Sequence, residues 1–122
     1  MSPEARVLVV DDDESIREYV DMALSEEGYE VITAPHGAAA LDAIAQSPPD
    51  LILLDMRMPV MDGREFSQAY RRTADVPAPI VVLTASRDVS SSANEIRADG
   101  AVAKPFDLDE LLETVRVHCR RK

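Results

Sequence analysis

Leu51-Ile52-Leu53-Leu54-Asp55-Met56-Arg57-Met58-Pro59-Val60-Met61-Asp62-Gly63 is the stretch on which the fold turns. A short run of large aliphatic residues followed by proline and Asp-Gly reads as a strand buried on both faces, the kind found in parallel sheets. Asp55 ends that strand. A carboxylate at the end of a buried strand costs free energy unless a partner or a cation answers it. An earlier apolar run, Val7-Leu8-Val9-Val10, ends the same way, in Asp11-Asp12-Asp13. If the two strands are parallel neighbours, both sets of acids meet at one edge, and such a cluster calls for a divalent cation.

Outward from these strands, apolar runs alternate with helical spacings along the whole chain. Ile16, Val20, Ala23 and Leu24 share one face of a helix that Gly28 can end. Val31-Ile32 reads as a second strand, and Ala38, Leu41, Ile44 and Ala45 as a helix stopped by Pro48-Pro49. Phe66, Ala69 and Tyr70 point inward from the helix after Asp62-Gly63. Residues 80–83 form a fourth strand ending at Thr84, and Val89, Ala93 and Ile96 give a thin helical stripe broken by Ser90-Ser91-Ser92 and Asn94. Residues 101–103 form a fifth strand. Asp107 with Glu110 reads as a capping box opening a last helix that carries Leu108, Leu111, Leu112, Val115 and Cys119. Strands each followed by a helix predict an α/β fold, a doubly wound five-stranded parallel sheet with five helices. Sites in such sheets lie beyond the carboxyl ends of the strands. Here those ends carry Asp11, Asp12, Asp13, Asp55, Thr84 and Lys104.

A chain of 122 residues predicts a single domain over 1–122. The 23 acids against 13 bases, net −10, set aside direct nucleic-acid binding. Arg116, Arg120, Arg121 and Lys122 make the end of the last helix basic, which complements a helix macrodipole. The single cysteine, Cys119, permits no internal disulfide, and no Cys/His spacing resembles a zinc site. With no apolar span of membrane length and no signal-peptide pattern, a soluble cytoplasmic protein without membrane association is expected.

Acids ahead of a helix are common caps, and Asp13 or Ser15 suits that role. Asp12 opposite Asp55 is different. Two carboxylates about 4 Å apart repel by about 4 kcal/mol at an intermediate dielectric. A hard cation relieves the repulsion, and oxygen ligands without histidine or thiol favour Mg²⁺. Asp55 could instead form a salt bridge with Lys104, and Thr84 could serve β-propensity alone. In Lys104-Pro105-Phe106 the lysine is held extended ahead of proline, and a cis bond would turn the chain sharply, fixing an ammonium over the strand ends.

Taken together, Val9-Val10-Asp11-Asp12-Asp13, Leu53-Leu54-Asp55-Met56-Arg57-Met58-Pro59, Asp62-Gly63, Leu83-Thr84-Ala85 and Lys104-Pro105-Phe106 resemble a response-regulator receiver domain of the chemotaxis-regulator type over residues 5–119. The resemblance, not the spacing, implies the flavodoxin-like strand order 2-1-3-4-5. It implies that Asp55 is the phosphoacceptor, taking a phosphoryl group from the phosphohistidine of a sensor histidine kinase or a histidine phosphotransfer protein. Asp12 and Asp55 would hold Mg²⁺ with the Arg57 backbone carbonyl, Asp11 would support a bound water, and Thr84 and Lys104 would bind phosphoryl oxygens. The chain would be a stand-alone phosphoacceptor switch rather than an enzyme, assisting its own phosphorylation and dephosphorylation. It would signal through a downstream protein partner or onward transfer, as a monomer or weak homodimer. The Arg57 side chain would influence the lifetime of the phosphorylated form, and the face of the first helix near Ile16 and Arg17 would meet the kinase.

Two positions depart from the family. Ala101 stands where an aromatic ring is usual, and Arg97 stands where a glycine is usual ahead of the fifth strand. Signalling is therefore expected to use backbone rearrangement of residues 85–98. His36 and His118 read as surface residues without partners, and Met56, Met58 and Met61 as packing. Tyr19, Tyr29 and Tyr70 are too scattered for a stacking platform. Asp11-x-Asp13 resembles the first motif of haloacid-dehalogenase phosphatases, but that family needs a longer chain and leaves Asp55 unexplained. A receiver that binds partners without phosphorylation would not need all the site positions present here. A flavin domain would need a glycine- or hydroxyl-rich phosphate loop after the first strand.

Overall fold

The computed structural model describes residues 5–85 and 96–119. The strands are β1 (Arg6–Val10), β2 (Glu30–Ala34), β3 (Leu51–Asp55), β4 (Ile80–Thr84) and β5 (Gly100–Ala103). All pairings are parallel, in the order β2-β1-β3-β4-β5, as the family resemblance implies. The described helices are α1 (Glu14–Glu26), α2 (Gly37–Gln46), α3 (Gly63–Thr73) and α4 (Leu108–His118). The further helix expected between β4 and β5 lies outside the described residues except for its end at Ile96, which is buried.

Side chains alternate across the central strands and feed two cores. Val7, Val9, Leu51, Leu53, Val81 and Leu83 face α1 and α4. Leu8, Val10, Ile52, Leu54, Ile80 and Val82 face α2 and α3. Strands covered on both faces must be apolar at every position, which is why β3 and β4 read as unbroken aliphatic runs. Each such fully buried side chain contributes about 1.5–3 kcal/mol. The register pairs Val10 with Leu54, Asp55 with Leu83 and Thr84 with Ala103, so the carboxyl ends of β1, β3, β4 and β5 finish side by side.

Asp13 caps α1, its Oδ1 accepting from Ser15 N at 2.9 Å. At Asp107 the bond from Glu110 N forms at 2.7 Å. A reciprocal capping box is found at α3, where Asp62 accepts from Glu65 N and Glu65 accepts from Asp62 N. Some inward faces differ from expectation. In α2 the fully buried residue is Ala40 while Ala45 is exposed, because the inward line runs through Gly37 and Ala40. Leu108, first in α4, is 45% exposed.

Both histidines have partners, contrary to the surface reading. His36 caps α2, Nδ1 accepting from Ala39 N at 3.2 Å. His118 Nδ1 donates to the Thr114 carbonyl at 2.9 Å, and its ring packs so closely on β5 that a Cβ on Gly100 would lie 2.7 Å from Nε2. Arg97 takes φ 55°. Arg71 of α3 donates to the carbonyls of Ile96 and Arg97, tying that turn down. Val60 takes φ 70° at the centre of a γ-turn closed by Met61 N to Pro59 O at 2.7 Å. A β-branched residue there is strained.

Candidate functional site

The strand ends converge. Asp11, Asp12 and Asp55 each place a carboxylate oxygen within 4.8 Å of the others. Asp11 is fully buried, Asp55 is 7% exposed and Asp12 faces solvent. Lys104 enters from the end of β5 and its Nζ lies 2.7 Å from Asp11 Oδ2 and 3.8 Å from Asp55 Oδ1. The Lys104 backbone N–H donates to the Thr84 carbonyl at 2.7 Å, and the Lys104–Pro105 peptide bond is cis. The close ion pair is therefore Lys104–Asp11, and the alternative of a simple Asp55–Lys104 salt bridge gives way to a shared ammonium leaning toward Asp11.

Asp11 is saturated. Its Oδ1 accepts from Asp13 N at 2.9 Å, its Oδ2 accepts from Lys104, and its carbonyl accepts from Arg17 Nη1 at 2.7 Å. Asp55 is held less firmly, with Oδ1 accepting from Arg57 N at 3.3 Å. Burial, and then the charge of Asp11, push the Asp55 carboxyl up from 3.8 to about 6, against the opposing pull of Lys104 and the Arg57 N–H. Asp55 thus carries an uncompensated share of negative charge beside an open cavity of about 310 Å³ lined by Asp55, Met56, Arg57, Thr84, Ala85 and Lys104. Thr84 is buried at the cavity wall, and Ala85 beside it leaves room.

This donor set suits a hard divalent cation. It consists of carboxylate oxygens only, two of them buried, with one acid open to water. Each of Asp11, Asp12 and Asp55 offers an oxygen to such an ion, and Asp11 is the one already drawn on by Asp13 N and Lys104.

Gly63 and Arg17 shape the site in ways that the sequence did not show. A Cβ on Gly63 would sit 2.8 Å from the Asp55 carbonyl, so glycine lets the start of α3 press against the end of β3. Arg17, expected on a kinase-facing surface with Ile16, instead turns inward to the Asp11 carbonyl, while Ile16 packs against the core. The apolar residues that α1 exposes are Tyr19 at 39% and Met22 at 62%, across a shallow cavity from Leu108. Met56, Met58 and Met61 do pack against the α2–α3 core, as expected. Tyr70 stacks on Phe66 and its hydroxyl accepts from Ala78 N, a packing role.

A five-stranded parallel sheet in this order, with acids and a lysine at its strand ends, is the arrangement of a receiver-type fold. The family model for the response regulator receiver domain matches residues 7–116, and the chain belongs to that family. Among its relatives, the response regulator MprA of Mycobacterium sp. (strain KMS) is 45% identical over 118 residues, covering 95% of this chain and 51% of that protein. The chain therefore spans about half the length of the mycobacterial relatives it matches. Chemotaxis protein CheY4 of Vibrio cholerae superposes with a TM-score of 0.84 at 37% identity, covering 94% of this chain and 98% of that one. Response regulator protein TrrA of Thermotoga maritima, solved in complex with Mg(2+)-BeF, gives 0.81 at 40% identity, covering 93% and 97%. No helix among the described residues is long and apolar enough to cross a membrane.

Proposed function

We propose that this receiver domain is a phosphoacceptor switch of a two-component phosphorelay, with Asp55 as the residue phosphorylated. One observation carries the reading: Asp11, Asp12 and Asp55 converge within 4.8 Å beside the Lys104 ammonium. Asp12, Asp55 and the Arg57 backbone carbonyl would hold Mg²⁺, with Asp11 behind them. When bound, the ion would offset the carboxylate charge and that of the incoming phosphoryl oxygens.

The residues of the chain do the rest. Ionised Asp55 attacks the phosphorus of a phosphohistidine. The new O–P bond forms as the P–N bond breaks, and the histidine nitrogen keeps the electron pair. Rigid strand ends supply the in-line placement. Lys104, 3.8 Å from Asp55, has a short distance to travel to an oxygen of the transferred group, and the Thr84 hydroxyl at the cavity wall supplies a second donor. Water attack on the acyl phosphate resets the domain, with Arg57 at the cavity mouth placed to tune its approach. Tyr19, Met22 and Leu108 offer the exposed apolar face on which a sensor histidine kinase or phosphotransfer protein would dock. A phosphatase nucleophile at Asp11 is disfavoured, because that carboxylate is fully buried with both oxygens engaged.

The test is incubation with acetyl phosphate, with and without Mg²⁺, followed by intact mass. One added phosphoryl group, dependent on Mg²⁺ and absent in Asp55→Asn, is expected. Labelling that survives Asp55→Asn, or is the same with chelator, overturns the proposal.

A further inference from the structure

We infer that Arg17 is a positioning residue for the acid cluster, holding the peptide plane from which the Asp12 carboxylate is hung. The inference rests on the proposal that Asp12 and Asp55 hold the divalent ion. Asp12 is the exposed member of the cluster, whereas the Asp11 carboxylate is fixed by Asp13 N and Lys104. A peptide unit is planar, so the orientation of the Asp11 carbonyl sets where the Asp12 N and Cα lie. Two bonds hold Asp11, one on the peptide unit before it and one on the peptide unit it shares with Asp12. The Asp11 N–H donates to the Ala34 carbonyl at 3.1 Å, and Arg17 Nη1 donates to the Asp11 carbonyl at 2.7 Å.

Arg17 reaches this carbonyl from within α1, and its own N–H donates to the Asp13 carbonyl at 3.1 Å, so one residue braces both ends of the Asp11-Asp12-Asp13 turn. A charged donor to a carbonyl is stronger than a neutral one. Its removal leaves the carbonyl at the β1 end without that donor and lets the Asp12 plane swing away from Asp55.

The sign of the effect separates positioning from plain electrostatics. Arg17 is a cation near the place where another cation would sit. If it acted by charge alone, deleting it would tighten divalent binding. If it positions Asp12, deleting it weakens binding, and partners of metal ligands generally contribute tenfold to a hundredfold in affinity.

Mg²⁺ affinity measured by calorimetry on the full chain decides between them. Arg17→Ala is expected to bind Mg²⁺ about tenfold more weakly than wild type. Arg17→Met, which keeps the apolar stem and loses charge and donors, is expected to match it. Arg17→Lys, which keeps a charged donor, is expected to recover most of the loss. Thermal unfolding of each variant reports the fraction folded, and affinities are compared for folded protein. Unchanged or tighter binding in both Arg17→Ala and Arg17→Met, or a loss that Arg17→Lys does not reduce, overturns the inference. If the wild type itself binds no Mg²⁺, the proposed metal site fails, a result distinct from a variant that binds as well as wild type.

Discussion

Asp55→Asn should stabilise the metal-free protein at neutral pH, and the gain should disappear in acid. The Asp55 carboxyl titrates near 6 in the folded chain against 3.8 unfolded, burial and the Asp11 charge being the main causes. A raised carboxylate means that ionisation favours the unfolded state. Below about pH 4 the acid is protonated in both states and costs nothing. Between about pH 4 and pH 6 the unfolded chain ionises first and stability falls. Above about pH 6 the penalty is complete, with an upper value of about 3 kcal/mol. The substitution does not strand Lys104, whose ammonium keeps its 2.7 Å contact with Asp11. For a chain of this length that gain corresponds to about 10 °C in Tm. Urea unfolding followed by far-ultraviolet circular dichroism, in chelator and from acid to mildly alkaline pH, measures it. Saturating Mg²⁺ should then narrow the gap by stabilising wild type more than the variant. A variant no more stable than wild type at pH 7.5, or a gap that does not change with pH, refutes the electrostatic account of Asp55.

Three further substitutions probe the frame around the site. Lys104→Met leaves the fully buried Asp11 carboxylate without its ammonium, and a loss of about 3–5 kcal/mol at neutral pH is expected in urea melts. Val60→Gly removes a β-branched side chain from φ 70°, and a gain of about 1 kcal/mol is expected; a clear loss on denaturant unfolding would show that Val60 is not strained. Asp62→Ala breaks the reciprocal capping box of α3 and should cost about 1–2 kcal/mol, with the amides of the first turn of α3 exchanging faster.

The sheet was legible because strands covered on both faces have little freedom of composition. Leu51-Ile52-Leu53-Leu54 and the run at 80–83 admit hardly any other reading, and both lie within the observed strands. β2 was shortened in the sequence because an edge strand mixes half-buried and exposed residues, so only Val31-Ile32 stands out as an aliphatic run between Glu30 and Thr33. The acids and the lysine of the site were legible as strand-terminal residues. Their pairing was not, because whether an ammonium reaches Asp11 or Asp55 depends on a difference of about an ångström in three dimensions, which no spacing encodes. Arg17 was misplaced for a related reason. A charged residue at a half-buried helical position looks like a solvated one until the carbonyl it reaches is known. His36 as a cap was not legible because histidine is not among the usual capping residues, and the box at Asp62 was hidden because Asp62-Gly63 also reads as a turn. Ala101 packs against the α2–α3 core without a ring. The expected rearrangement of residues 85–98 lies mostly outside the described residues.

Paramagnetic broadening by Mn²⁺ offers the most direct measurement of whether the ends of β1 and β3 form one cation pocket. In a two-dimensional amide spectrum, sub-stoichiometric Mn²⁺ should erase the signals of Asp11, Asp12, Asp55, Met56 and Arg57 first, leave those at the opposite ends of the strands sharp, and yield to excess Mg²⁺. Broadening scattered over the acidic surface, or an unaffected Asp55 neighbourhood, would contradict a shared ion site and the phosphoacceptor function built on it.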